Sequence, residues 1–255
     1  MEEKRKPRWW LRILGVVVVL GLLAGAAELA LRLVIPGIVA SSVRDGMGLT
    51  PDHPVEVELH GSTLLRAVTG RVGPMEVTVP SAPLPEGIVA SFTVAADSAP
   101  FDPSGGEIQG GTASVTIPAE SLGSTIAVLT QGLADSGEVR GGNLVVGKTT
   151  QFFGMDVTLS VTLALSVEDG AVRVDPQAVS AAGFDLTADQ IREFSGGSLD
   201  GLLTAQTVCV SDRLPAGITL TGLTLSSTGS VTVTADLAPR ILADSAEQAP
   251  GVCSG

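Results

Sequence analysis

His53 and His60 are the only imidazoles in the chain. Such side chains ligate metals or move protons, but a zinc site needs three or four ligands at workable spacing. The sequence contains no HxxxH, CxxC or HExxH. His53 stands in a proline-rich turn and His60 ends an alternating segment, so both read as surface residues. Glu56 and Glu58 lie two residues apart on one face of a strand, where a glycosidase pair could sit. The solvated edge of an acidic protein is the stronger reading of the two. Asp97 and Asp102 flank Pro100-Phe101, too sparsely for a calcium loop. There is no Gly-x-Ser-x-Gly elbow and no Gly-x-x-x-x-Gly-Lys phosphate loop, and Gly105-Gly106, Gly110-Gly111 and Gly141-Gly142-Asn143 read as turns. The expectation is a protein that is not an enzyme, with no catalytic residue, no metal and no cofactor. A glycan-modifying enzyme would rest on Glu56 and Glu58 alone.

The remaining candidates bind rather than react. Phe152-Phe153 stands out in a chain with 3% aromatics and no Tyr. Beside Lys148 it could line a pocket mouth or touch a membrane, with the ammonium meeting a lipid phosphate; core filling is the alternative. Arg66 and Arg71 bracket the loop after the first strand and could serve a headgroup in the same way. Cys209 could be a nucleophile, but Cys253 in the tail pairs naturally with it, and an even pair in an exported protein reads as a disulfide. Closing that loop would stabilise by about 4 kcal/mol in the chain-entropy model. Inert thiols are the other reading.

The chain has 255 residues and 44% hydrophobic residues, so the core must be aliphatic. The first 35 residues are a unit apart. Six of the 15 basic and three of the 27 acidic residues precede Pro36, leaving nine against 24 and a net charge of −15 beyond it. Such a domain repels phosphate backbones, which excludes nucleic acid as a partner class. It also gains no general attraction to an anionic membrane. The start is basic, from Lys4 to Arg8, and leads through Trp9, Trp10 and Arg12 into the apolar run Ile13–Ala27. This is the pattern of a secretory signal, with Ala24-Gly25-Ala26 as a cleavage site. It is equally that of a signal anchor. The run is about 22 Å long as a helix, and Trp9, Trp10 and Arg12 at the interface extend it toward the roughly 30 Å of a bilayer core. The positive flank stays in the cytoplasm, so residues 36–255 face outward as one extracytoplasmic domain of a single-pass plasma-membrane protein, or are secreted if the chain is cut after Ala26. Pro36 is expected to break the helix, with a second helix from Gly37 to Asp45.

From Val55 the periodicity switches to two. Val157, Leu159, Val161, Leu163, Leu165 and Val167 alternate with Ser, Thr and Ala, and Asp169-Gly170 marks a type I′ hairpin. The returning strand should stop at Pro176. Ile218–Leu225 and Val231–Leu237 make a second pair. Strands with one apolar and one Ser/Thr face belong to antiparallel sheets. Helices are expected over Pro118–Leu133, over Thr187–Phe194 with a Thr187/Gln190 capping box, and around Leu199–Leu203. The fold class is α+β, a long curved antiparallel sheet wrapped around helices. Such a sheet encloses either a greasy tunnel or a filled core.

The order of these features resembles the actinobacterial LmeA-like family of phospholipid-binding cell-envelope proteins. The resemblance rests on the membrane segment leading into a helix; on Pro54-Val55-Glu56-Val57-Glu58-Leu59-His60-Gly61 with Leu64-Leu65 and Gly70-Arg71-Val72; on Gly170-Ala171-Val172-Arg173-Val174-Asp175-Pro176; and on Cys209 with Leu214-Pro215-Ala216-Gly217-Ile218. It implies a fold akin to tubular lipid-binding (TULIP-like) proteins and the handling of membrane phospholipid or glycolipid at the outer face of the plasma membrane. In one branch it implies support for the maturation of mannose-bearing lipoglycans. Family members often carry an aromatic where this chain has Ser62-Thr63-Leu64-Leu65. The alternative class is an envelope scaffold whose exposed sheet binds another protein.

Overall fold

A computed structural model describes residues 9–102, 104–152, 155–181, 184–195 and 204–253. Helix α1 spans Trp9–Met47, 39 residues, or about 58 Å at 1.5 Å per residue. It is long and apolar enough to cross a membrane. It does not break at Pro36, which lies inside it. An interior proline removes one helical hydrogen bond and costs about 3 kcal/mol, so something must hold the helix on both sides. Glu28 and Arg32 bond the loop at Gly61–Leu64 on one side. On the other, Arg44 donates to the His53 carbonyl at 2.8 Å. Ile35 and Ala40 are buried between them. The helix ends in a Schellman motif: Gly48 has φ +65°, Leu49 N–H donates to the Arg44 carbonyl at 2.9 Å, and Gly48 N–H to that of Asp45 at 3.3 Å.

The chain then runs through β1 (Glu56–Leu59), α2 (Thr63–Ala67), β2 (Arg71–Val72), β3 (Met75–Pro83), β4 (Val89–Ala96), β5 (Ala99–Pro100), β6 (Thr112–Ile117) and α3 (Ala119–Leu129). It continues through β7 (Ser136–Arg140), β8 (Asn143–Phe152), β9 (Met155–Glu168), β10 (Ala171–Ala181), β11 (Phe184–Thr187), α4 (Ala188–Ser195), β12 (Gln206–Val208), β13 (Ile218–Leu225) and β14 (Val231–Leu237). One antiparallel sheet has the order β1-β3-β4-β6-β14-β13, and a second β11-β10-β9-β8-β7 with β12 also on β10. The α+β class with long antiparallel sheets is therefore correct. The expected helix around Leu199–Leu203 lies outside the described residues.

Local chemistry explains the elements. Asp169 and Gly170, at φ +50° and +76°, turn β9 into β10 as the I′ pair requires. Thr187 N–H donates to Gln190 Oε1 at 2.9 Å and Gln190 N–H to Thr187 Oγ1 at 3.3 Å, closing the capping box of α4. β10 does not stop at Pro176. It passes through with a bulge between Pro176 and Ala178. On its outer edge β12 pairs residues 172–174 and β11 pairs 178–181, so the missing N–H falls where neither neighbour needs it.

The two sheets meet at α3. Ile126 of α3, Ala134 and Leu144 of β8 form a buried cluster, with Val146, Leu165 and Leu225 packed against it. Gly137 on β7 makes the approach of α3 possible: a Cβ there would stand 2.7 Å from Ile126 Cγ1. Cys209 and Cys253 form a disulfide with Cα atoms 5.9 Å apart. It ties the segment after β12 to a tail that hydrogen-bonds residues 214–217.

Candidate functional site

Residues paired across antiparallel strands project to the same face, so the second sheet can be read in rows. Lys148, Leu159, Ala181 and Phe184 form one row across four strands. Val146, Val161, Val179 and Leu186 form the next, and Leu144, Leu163 and Pro176 the one after. Leu165 with Val174, then Val167 with Val172 and Val208, complete the face. All but Lys148 are apolar. The opposite face carries Thr149, Thr158, Ser160, Thr162 and Ser166, with Thr149 and Thr158 hydroxyls 3.0 Å apart.

Coverage of the apolar face is uneven. At Leu144 and Leu165 it is filled by Ile126 and Leu225. At the Lys148 row it is open, with Leu159 48% and Phe184 76% exposed, as is the β11 end of the next row, where Leu186 is 41% exposed. Leu129 and Leu133 are exposed at the C-terminal end of α3 and just beyond it. Lys148 holds that connection to the rim, donating from Nζ to the Gly132 carbonyl at 2.9 Å and pairing with Asp135 Oδ2 at 3.5 Å. The result is an aliphatic sheet face, called the trough, filled at its middle by Ile126 and Leu225 and open at the Lys148 end, where it carries a cation at its rim; Val208 in the far row is also 47% exposed. An acyl chain could replace water along it. Two concavities with more polar linings lie elsewhere. One is bordered by Glu107, Gly111 and Asp236, the other by Ser136, Glu138 and Ser160. Neither of these two lies on the aliphatic face.

The residues singled out from sequence fall into separate places. Arg66 and Arg71 converge on the turn after β4. Arg66 Nη1 donates to the Asp97 carbonyl at 3.4 Å. Arg71 Nε donates to Ser98 Oγ at 2.6 Å, and its Nη2 to the Glu107 carbonyl at 2.8 Å. No hydrogen bond or ion pair among the described residues links either to Lys148. The side chain of Phe152 and the whole of Phe153 lie outside the described residues, as do the side chains of Trp9, Trp10 and Arg12. His53 is no simple surface residue: it is partly buried, and its Nε2 donates to the Pro80 carbonyl at 2.9 Å, bracing α1 against β3. His60 is exposed, 3.8 Å from Glu58. Asp102 takes the N–H and Oγ of Ser104 at 3.0 and 2.6 Å, which holds its carboxyl below the usual range. No cluster of metal-ligating side chains occurs among the described residues. Phe184 and Leu186 escaped sequence reasoning because β11 is only four residues long. Their one signal was apolar alternation around Asp185.

A sheet with one face of open aliphatic rows invites comparison with lipid-binding families. The profile of the LmeA-like phospholipid-binding family matches residues 26–236. The chain belongs to the LmeA-like phospholipid-binding family. No curated protein and no solved structure matches it. The family match begins two residues before Glu28, where α1 first bonds the folded part, and ends at Asp236 in β14. It therefore takes in the LmeA-like trough and all of its rim, along with the docked half of α1.

Proposed function

We propose that this LmeA-like chain is a membrane-anchored, extracytoplasmic, non-catalytic binding protein. It lays an acyl chain of a membrane phospholipid or glycolipid along the trough from the Lys148–Leu159–Phe184 row inward. The observation that carries this is the half-open state of Leu159 and Leu186 on a sheet face otherwise built for burial. Each methylene covered there would contribute about 0.8 kcal/mol. Lys148 stands where a phosphate could compete with Asp135 for its ammonium. Trp9–Ala27 would form the span, about 28 Å as a helix, with the basic start in the cytoplasm and the domain outside. The envelope role included in this reading is lipid supply or presentation during lipoglycan maturation.

The test is native mass spectrometry of the full chain purified from membranes in mild detergent, with lipid extraction from the same sample. Co-purifying phospholipid or glycolipid is expected. A lipid-free chain that instead retains a protein partner after delipidation would replace this reading with a scaffold.

A further inference from the structure

Glu28 follows directly on the apolar run that ends at Ala27, and its carboxylate is turned into the domain. Oε1 accepts from Thr63 N–H at 2.9 Å and from Arg32 Nε at 2.8 Å. Oε2 accepts from Leu64 N–H at 2.6 Å and from Ser62 Oγ at 3.2 Å. The Arg32 guanidinium also donates to the Gly61 carbonyl. These bonds seat α2 beside α1 at the end of the apolar run. At that level the molecule exposes large apolar side chains. Leu65 is 73% exposed and Val68 81%. Phe101, whose N–H donates to the Gly70 carbonyl at 3.0 Å, is 48% exposed. Arg66 lies half-buried beside them, donating to the Asp97 carbonyl. Two nearby carboxylates are occupied: Glu28 by Arg32 and the α2 backbone, Asp102 by Ser104.

We propose that Leu65, Val68 and Phe101 are a second membrane contact, inserted into the interfacial layer of the outer leaflet with Arg66 at the level of the lipid phosphates. The inference rests on the reading that α1 spans the bilayer. If it does, Glu28 marks the outer interface, and lipid is the medium that α2 meets. The contact also answers an electrostatic need. A domain of charge −15 is not drawn to an anionic leaflet, and apolar insertion beside Arg66 would hold it there without general attraction. The bonds of Glu28 and Arg32 fix α2 to α1, so the patch is presented to the membrane rather than swinging past it.

The test uses the full chain with single cysteines, Leu65→Cys, Val68→Cys, Leu22→Cys in the span and Thr224→Cys on β13, each labelled with a thiol-reactive fluorophore. Cys209 and Cys253 are paired and do not react. The proteins are reconstituted into phosphatidylcholine/phosphatidylglycerol vesicles with a nitroxide near the top of the acyl chain. The expected result is lipid quenching at Leu65 and Val68 at least half as strong as at Leu22, with none at Thr224. Quenching at Leu22 with Leu65 and Val68 responding only to aqueous iodide would overturn the proposal and leave the patch as a face for a protein. Absence of lipid quenching at Leu22 would overturn the anchored reading itself, so the two failures read out at different positions.

Discussion

Replacing Leu159 and Leu186 together by alanine separates the proposed lipid surface from the fold. Fully burying a leucine side chain is worth about 1.5–3 kcal/mol. Leu159 is already about half covered and Leu186 somewhat more, at 48% and 41% exposure. A bound acyl chain could therefore gain only the remaining part, about 1 kcal/mol at each position. The double variant should lose about 2 kcal/mol of binding, a roughly thirty-fold rise in Kd. The two residues stand in adjacent rows with β10 between their strands; both would touch the same acyl chain, so the two single variants are measured beside the double one to complete a cycle. The assay is titration of a phospholipid bearing a fluorescent acyl chain, kept below its micelle concentration, with urea melting of the same preparations. Leu144→Ala is the counterpart. Leu144 is buried in the Ile126 cluster, and its truncation should cost about 2–5 kcal/mol of folding stability while leaving lipid affinity within a factor of two. If Leu144→Ala weakened binding and the double variant did not, the acyl chain would lie at the filled middle. If neither changed the Kd, the sheet face would not be the binding surface.

Reduction of the Cys209–Cys253 bond, or Cys209→Ser with Cys253→Ser, should lower stability by about 4 kcal/mol in the loop-closure model; urea melts with and without reductant measure it, and a change below about 1 kcal/mol would refute the entropic account here. Gly137→Ala places a Cβ 2.7 Å from Ile126 Cγ1 and should destabilise by about 1–3 kcal/mol through displacement of α3, read as a lowered Tm. Thr187→Ala removes one side of the α4 capping box and should cost about 1 kcal/mol, visible as faster amide hydrogen exchange in Ala188–Ser195 with exchange in β9 unchanged.

How far each feature could be read in advance depends on whether its cause is local. The alternation from Val157 to Val167, the Asp169-Gly170 turn and the Thr187/Gln190 box are complete within a few residues, and each forms as its chemistry requires. Pro36 and Pro176 are the instructive failures. Proline's local cost is real, but α1 is pinned on both sides of Pro36 by bonds to residues 61–64 and to His53. β10 meets a gap between two outer strands at Pro176. Neither compensation has a local signature. Glu28 and Arg32 read as an ordinary i,i+4 surface pair, because the amides that Glu28 accepts from lie 35 and 36 residues away and the carbonyl that Arg32 donates to lies 29 away. In the sequence Lys148 stands near Phe152-Phe153, but its tie to Asp135 and Gly132 depends on where the end of α3 folds back. Exposure is the quantity sequence conveys least. Leu144, Leu159 and Leu163 are the same residue type in the same pattern, and only tertiary coverage by Ile126 distinguishes filled from open.

Charge, clamp and trough together explain why such a chain would carry a helix longer than a bilayer needs. A loose tether would supply proximity but no orientation, and a domain with 24 acidic residues against nine basic ones would be pushed off an anionic surface within the tether's reach. In α1 the helix instead continues past Ala27 without interruption to Met47. It uses its only two charges between Ile13 and Val43, Glu28 and Arg32, to grip the domain. The same segment that would enter the bilayer thereby becomes a structural element of the fold. Orientation is then set by backbone geometry rather than by surface electrostatics. Recognition of the lipid can be left to an aliphatic face that carries a single cation at its rim.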